Sequence, residues 1–116
     1  MKFISFNHDN SEKFGIIENN LITDLTGKID GASSLKELIK IKKIKEAKKY
    51  AKSNPGSIQP DQIEYSPLIP NPGKIICVGL NYSEHVKETN RTVEENPVIF
   101  HRFPESQTAH MQAIQR

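Results

Sequence analysis

The sequence has very little cysteine and no long apolar run. Its 116 residues include one cysteine, Cys77, so no disulfide can form within the chain, which fits a reducing compartment. No apolar run approaches the roughly 18 residues of a membrane-spanning helix, and the N-terminus lacks the long apolar segment of a secretion signal. The net charge of +2 is too small to indicate an acidic partner by itself. We therefore expect a cytoplasmic protein without a membrane partner.

Several motifs that would assign a chemistry directly are also missing. The turn after residues 74–78 has a single glycine, Gly79, where dinucleotide- and phosphate-binding loops need several. His101 and His110 are nine residues apart, and no histidine follows His85 at i+4, so the spacing typical of a zinc site is absent. No Ser-His-Asp triad can be assembled with any specificity. Any catalytic function must therefore come from a less general arrangement.

The first elements that the sequence does predict are β-strands. Residues 14–25 contain two short β-branched runs around Glu18, Asn19 and Asn20. Asparagine tolerates the left-handed backbone of tight turns, so this pattern predicts a β-hairpin. Residues 2–6 can supply a third strand of the same sheet.

Residues 34–52 are rich in helix formers, but their apolar residues do not fit one straight helix. At 100° per residue, one side of such a helix carries Leu35, Leu38 and Ile39, whereas Ile41 and Ile44 fall almost opposite that group. We therefore predict two helical pieces, about 34–40 and about 43–53, with a break between them. A serine at 33 or 34 can cap the first piece, and the segment SNPGS at 53–57 ends the second.

Eight lysines fall between Lys36 and Lys52. They are consistent with a patch for nucleic acid or an acidic membrane, or with a solvated helix face whose lysine stems cover apolar surface. Glu37 and Glu46 interrupt the run, and only Tyr50 offers a ring for stacking. These features favour the solvated face, so we expect no nucleic-acid partner.

The C-terminal part follows a stiff, proline-rich join. The segment SPLIPNPG at 66–73 has three prolines and cannot join a central strand. Residues 74–79, KIICVG, predict a short strand buried on both faces, with Cys77 as a small buried side chain. Residues 96–100, NPVIF, predict a second strand.

His85 and Glu88 form the most suggestive pair in the sequence. Asn81 or Ser83 can cap a helix that begins near residue 82–84, which places His85 and Glu88 on one face at i, i+3. The positive end of the helix dipole favours a neutral imidazole, the form that a general base needs. A neighbouring carboxylate orients the ring and stabilises the imidazolium. Two solvated side chains on a surface turn would show the same spacing.

The segments PNPGKIICVGLNYSEHVKE (residues 70–88) and NPVIFHRFPESQTAHMQAI (residues 96–114) together resemble the opening of the catalytic domain of the fumarylacetoacetate hydrolase family. The ordered features are Pro-x-Pro, the KIICVG strand, Asn-Tyr, His-x-x-Glu, Pro-x-x-Phe and Arg-Phe-Pro. The resemblance implies an α+β fold. Residues 1–62 would form a small hairpin-and-helix module, 63–73 a proline-rich linker, and 74–116 the first strands and helix of a mixed β-roll.

The resemblance also implies a chemistry. Family members act on acylpyruvates, β-diketo acids or 2-hydroxydienoates by C–C hydrolysis, isomerisation, decarboxylation or lyase chemistry, and Mg²⁺ or Mn²⁺ chelates the substrate oxygens. The family's catalytic dyad maps onto His85 and Glu88. Arg102 falls where many members place a cation near the substrate carboxylate, although a plain surface cation fits this position equally well. A homodimer is also implied.

The sequence departs from the family pattern at two places. The family's Glu-x-Glu and later Asp metal ligands lie downstream of residue 116, and the adjacent Glu94 and Glu95 do not match them. Ala109 and Met111 stand where relatives usually have glycines, so we expect an altered loop there. The chain is then the front part of an enzyme that is inactive alone, a non-catalytic relic, or an independent basic binding module.

Overall fold

The first strands form an antiparallel meander joined by two tight turns. A computed structural model of the chain describes residues 1–79, 81–82, 88 and 96–114. Strands β1 (Lys2–His8), β2 (Ser11–Glu18) and β3 (Leu21–Asp24) pair in the order β3-β2-β1. The hairpin predicted for residues 14–25 and the third strand from residues 2–6 are confirmed.

The turn chemistry explains the register of the meander. Asn19 and Asn20 have φ angles of 51° and 61°, and they connect the paired residues Glu18 and Leu21. Two successive left-handed residues match the twist of the flanking strands in a two-residue hairpin. Asp9 and Asn10 make the same kind of turn between β1 and β2, with φ angles of 53° and 56°.

The helical region breaks where the sequence predicts. Helix α1 spans Leu35–Lys40 and α2 spans Ile44–Ser53. The Ser34 hydroxyl accepts a hydrogen bond from the backbone N–H of Glu37 at 3.2 Å, so Ser34 is the cap of α1. Between the helices Lys42 has a φ angle of 60°. This break turns α2 so that both helices bury an apolar face.

The main core lies between the sheet and the two helices. Side chains from β2, the loop after β3, α1 and α2 meet there, and Leu38 and Ala47 have no exposed surface. Ile41 and Ile44, which a single straight helix would have turned away, pack partly buried against the same cluster. The buried cluster consists of Phe14, Ile16, Leu25, Ile29, Ala32, Leu35, Leu38, Ala47 and Ala51.

A short edge strand, β4 (Glu64–Tyr65), pairs antiparallel with β1 and completes the four-stranded sheet. The chain divides into two compact units. The first unit comprises Met1–Pro70 together with the described residues from Gln107 onward, and the second unit lies within Asn71–Ser106. The sequence-based boundaries of 1–62, 63–73 and 74–116 stay a prediction about domain organisation.

The second unit contains an antiparallel pair of strands, β5 (Ile75–Gly79) and β6 (Val98–Arg102). Both strands were predicted. The second was predicted at residues 96–100, and it begins and ends two residues later in the structure. The prediction that β5 is buried on both faces is wrong, because Ile76 is 64% exposed and Val78 is 50% exposed. Cys77 is only half-buried. Within the described residues of this unit, the two strands pair only with each other.

Candidate active site

The structure places one member of the predicted dyad. Glu88 is helical and exposed, in agreement with a helix after Gly79. His85 lies outside the described residues, so the i, i+3 geometry of the pair stays a prediction. An exposed carboxylate on a helix is accessible to a substrate or to an imidazole one turn away.

Arg102 is the last residue of β6, where its guanidinium donates a hydrogen bond to the backbone carbonyl of Ser106 at 3.1 Å. Residues 104–106 form a 3₁₀ turn directly after the strand, which brings this carbonyl back towards Arg102. A guanidinium has five N–H donors in a planar fork. The exposed Arg102 is therefore oriented by one contact and can offer further donors to a carboxylate.

The register of β5 and β6 determines which side chains share a face with Arg102. Arg102 pairs with Ile75, and Phe100 pairs with Cys77, so these four lie on one face. His101 points to the other face, where its ring meets Phe103 edge-on at 5.8 Å. Arg102 thus shares a sheet face with the half-buried Ile75 and Cys77, and His101 shares the other face with the exposed Ile76.

The sequence predicts no metal ligand in this chain, because the family's ligand positions lie downstream of residue 116. Within residues 1–79, 81–82, 88 and 96–114, no three His, Cys, Asp or Glu residues come together as a possible metal site. The described residues therefore do not fit a divalent ion. We assign no metal ligand among them.

The lysines of α2 form a stripe on its exposed side. Lys45, Lys48, Lys49 and Lys52 follow the i, i+3, i+4, i+7 spacing of one helix face, and all four are exposed. The buried residues of α2 are Ala47 and Ala51, which lie on the opposite side. Such a stripe fits a solvated helix face and a patch for an acidic partner alike, so the expected absence of a nucleic-acid partner stays a prediction.

The loop where the sequence departs from the family pattern, around Ala109 and Met111, is part of the first unit. Ala109 is buried, at 6% exposure, whereas Met111 is 85% exposed. Met111 has a φ angle of 66°, in the left-handed region that glycine adopts most readily. Methionine thus occupies a glycine-like backbone conformation in this loop.

Sequence reasoning missed the contacts that hold this segment, residues 107–112, against β4 and the residues after it. Gln107 donates to the carbonyl of Ile69 at 3.3 Å, and Gln112 donates to the carboxylate of Glu64 at 3.2 Å. The ring of His110 meets that of Tyr65 edge-on, with centroids 5.0 Å apart. The partners are about 40 residues apart or more in sequence, and no local pattern signals such pairs.

Among the residues that the structure describes, none of the helices has the length and apolar character of a membrane span.

No protein-family model matches the chain. Curated relatives do match it. The oxaloacetate tautomerase Fahd2a, mitochondrial, of Rattus norvegicus is 44% identical over 45 residues, covering 39% of this chain and 14% of the relative. The oxaloacetate tautomerase fahd2, mitochondrial, of Xenopus laevis is 40% identical over 60 residues, covering 52% and 19%.

A solved structure from Mycobacterium smegmatis, assigned as an HpcE protein, has a similar fold. It superimposes with a TM-score of 0.64 at 20% sequence identity, over 88% of this chain and 36% of the other. The expected α+β fold is therefore confirmed. The chain spans less than a fifth of the length of these two curated relatives and about a third of the solved neighbour.

Proposed function

We propose that this chain belongs to the fumarylacetoacetate hydrolase family and forms the front part of an enzyme acting on acylpyruvates, β-diketo acids or 2-hydroxydienoates. The observation that carries the proposal is the 44% identity to an oxaloacetate tautomerase, together with the His-x-x-Glu spacing after β5. At family level the chain is that of an enzyme; its substrate and reaction belong to the proposal.

The shared chemical step is a proton transfer next to a carbonyl. A tautomerase interconverts the keto and enol forms of a 2-oxo acid by moving one proton between carbon and oxygen. In the proposed mechanism His85, as the neutral imidazole, takes this proton or one from water. Glu88 orients the ring and stabilises the imidazolium that forms. The same pair can serve related reactions. In hydrolysis His85 activates a water and cleavage of the C–C bond leaves an enolate, and in decarboxylation loss of CO₂ leaves it; the enolate then takes a proton on carbon. Isomerisation returns the proton to a different carbon.

Arg102 has a positioning role in this proposal. Its guanidinium, oriented by the Ser106 carbonyl, would bind the substrate carboxylate through charge-assisted hydrogen bonds. Holding the carboxylate fixes the adjacent carbonyl carbon relative to the dyad.

A divalent ion is part of the proposal for the complete enzyme, with Mg²⁺ or Mn²⁺ as the candidates. Such an ion acts as a Lewis acid that stabilises an enolate oxygen. Because the described residues do not fit a divalent ion, the proton transfer proposed for His85 and Glu88 does not depend on it. A homodimer and a cytoplasmic location are further parts of the proposal, although both curated relatives above carry the word mitochondrial in their names.

The nucleotide sequence beyond codon 116 provides the direct test. We expect it to encode, in some frame, a proline-led segment followed by Glu-x-Glu, the family's ligand motif. The complete protein should then turn over acylpyruvate-type substrates only with Mg²⁺ or Mn²⁺. A genuine stop codon followed by unrelated sequence would contradict the proposal and favour a non-catalytic relic.

Replacing Arg102 by alanine in the complete enzyme should lower kcat/KM by about 10- to 100-fold, mainly through KM, because a charge-assisted bond to the substrate is lost. Arg102→Lys should recover part of this loss, since it keeps the charge without the planar fork. Steady-state kinetics measure both variants. Lys45→Ala, which removes an exposed cation from α2, is the matched control and should leave KM unchanged. An equal, small effect of all three changes would make Arg102 a plain surface cation.

A further inference from the structure

A cavity of about 440 Å³ lies in the first unit, beside the edge where β4 meets β1. Its walls come from the start of β1, from residues 65–68 and from residues 108–110. This volume falls within the roughly 300–1,000 Å³ range of small-molecule sites. None of the residues assigned to the proposed active site lines it.

Hydrogen bonds within the first unit hold the cavity open. The buried Ser5 hydroxyl donates to the carbonyl of Leu68 at 2.8 Å, which fixes residues 66–68 against β1. On the other wall, Gln112 donates to the carbonyl of Tyr65 at 3.4 Å, and the His110 ring packs edge-on against Tyr65. One wall is therefore fixed to β1 and the other to Tyr65 of β4, so the cavity exists before any ligand binds.

The walls are largely apolar. Phe3, Ile17, Pro67 and Leu68 supply hydrocarbon surface, and Leu68 is 53% exposed in spite of its position in the wall. An apolar ligand body would cover this surface and gain the free energy of its removal from water. A ligand for this site therefore has a hydrocarbon portion of several carbons.

The polar groups around the cavity favour an anionic ligand over a cationic one. Among the lining residues, Lys2 carries an ammonium group, and Ser66, Thr108 and His110 carry hydroxyl or ring N–H groups that can act as donors. No aspartate or glutamate is among the described residues that line the cavity. A cationic ligand would meet an ammonium without a compensating carboxylate, whereas an anion would meet a cation and several donors.

We propose that this cavity binds a small monocarboxylate with an apolar body, such as a medium-chain aliphatic acid, with its carboxylate towards Lys2. The ligand needs no keto group, which separates this site from the proposed active site. Because β1, β4 and residues 108–110 all contribute walls, bound ligand would stabilise the first unit against unfolding.

Titration of the 116-residue chain with octanoate tests the proposal. We expect a saturable rise in Tm, with NMR chemical-shift changes concentrated on the residues that line the cavity. Acetate, which has the charge without the chain, and octylammonium, which has the chain with the opposite charge, should produce neither effect at the same concentrations. Equal responses to octanoate and octylammonium would overturn the charge selection, and shifts elsewhere in the chain would overturn the site.

Two pairs of variants locate the contacts. Leu68→Trp fills the cavity and should abolish the octanoate effect, whereas Ile39→Trp, at 52% initial exposure and outside the cavity, should not. Lys2→Gln should weaken octanoate binding about three- to tenfold at low salt, and the exposed Lys28→Gln should leave it unchanged. Undiminished binding by a folded Leu68→Trp would overturn the proposal. If that variant does not fold, undiminished binding by Lys2→Gln overturns it.

Discussion

Replacing His85 by alanine is expected to lower kcat of the complete enzyme by about 100-fold or more, because general-base catalysis contributes about 10²–10⁴. Glu88→Gln should lower kcat by about tenfold or more, since an amide neither stabilises an imidazolium nor fixes the ring as a carboxylate does. Single-turnover kinetics with an acylpyruvate substrate measure the chemical step directly. Because the two residues act as one unit, the double variant should be little slower than His85→Ala alone.

A second histidine provides the control for this prediction. His101 is exposed on β6, next to Arg102, and its ring packs against Phe103. His101→Ala removes an imidazole of the same chemistry from the same unit and should change kcat no more than a few-fold. A rate that stays unchanged in His85→Ala, or that falls equally in both histidine variants, would contradict the dyad.

Replacing Leu38 by alanine should destabilise the first unit by about 3 kcal/mol, within the range of about 2–5 kcal/mol for buried leucines. Leu38 has no exposed surface and belongs to the cluster that joins α1 to α2 and the sheet. Truncation removes apolar contacts from both helices and leaves a cavity between them. Such a loss is large against the total of about 5–15 kcal/mol that is typical of folded proteins. Urea unfolding followed by circular dichroism measures the change.

The neighbouring residue on the same helix is the matched control. Ile39 is 52% exposed, so Ile39→Ala should cost less than about 1 kcal/mol. Both substitutions place alanine in α1, and leucine and isoleucine differ in helix propensity by much less than the expected burial effect, so the difference between the variants mainly measures burial. Equal losses in the two variants would mean that α1 is oriented differently from the structure described above.

The parts of the fold that were predicted correctly depend on short-range signals. Asn19 and Asn20 predict the β2–β3 turn because few residues adopt a left-handed backbone at low cost. The helix break follows from the opposite directions in which Leu35 and Ile44 would point from a single helix axis. Ser34 caps α1 by accepting a hydrogen bond from the backbone N–H of Glu37, three residues away. Each signal lies within one turn or a few residues of its structural consequence.

The parts that were missed depend on distant residues. Burial of β5 was inferred from its composition, but exposure depends on what covers each sheet face, which an apolar run does not specify. The attachment of residues 107–112 to β4 depends on glutamine side chains reaching carbonyl and carboxylate groups more than 35 residues away. For the candidate site, the sequence supplied residue types and spacing. The structure adds the orientation of Arg102 and the helical, exposed state of Glu88.

The hydrogen bond between Gln107 and Ile69 has a consequence for synthesis of the chain. The first unit is discontinuous, because it is assembled from two stretches separated by Asn71–Ser106. A ribosome releases β1 to β4 long before it releases residues 107–112, and emerging domains begin to fold as they appear. The nascent sheet therefore lacks one wall of its cavity until the intervening unit and residues 107–112 have been translated.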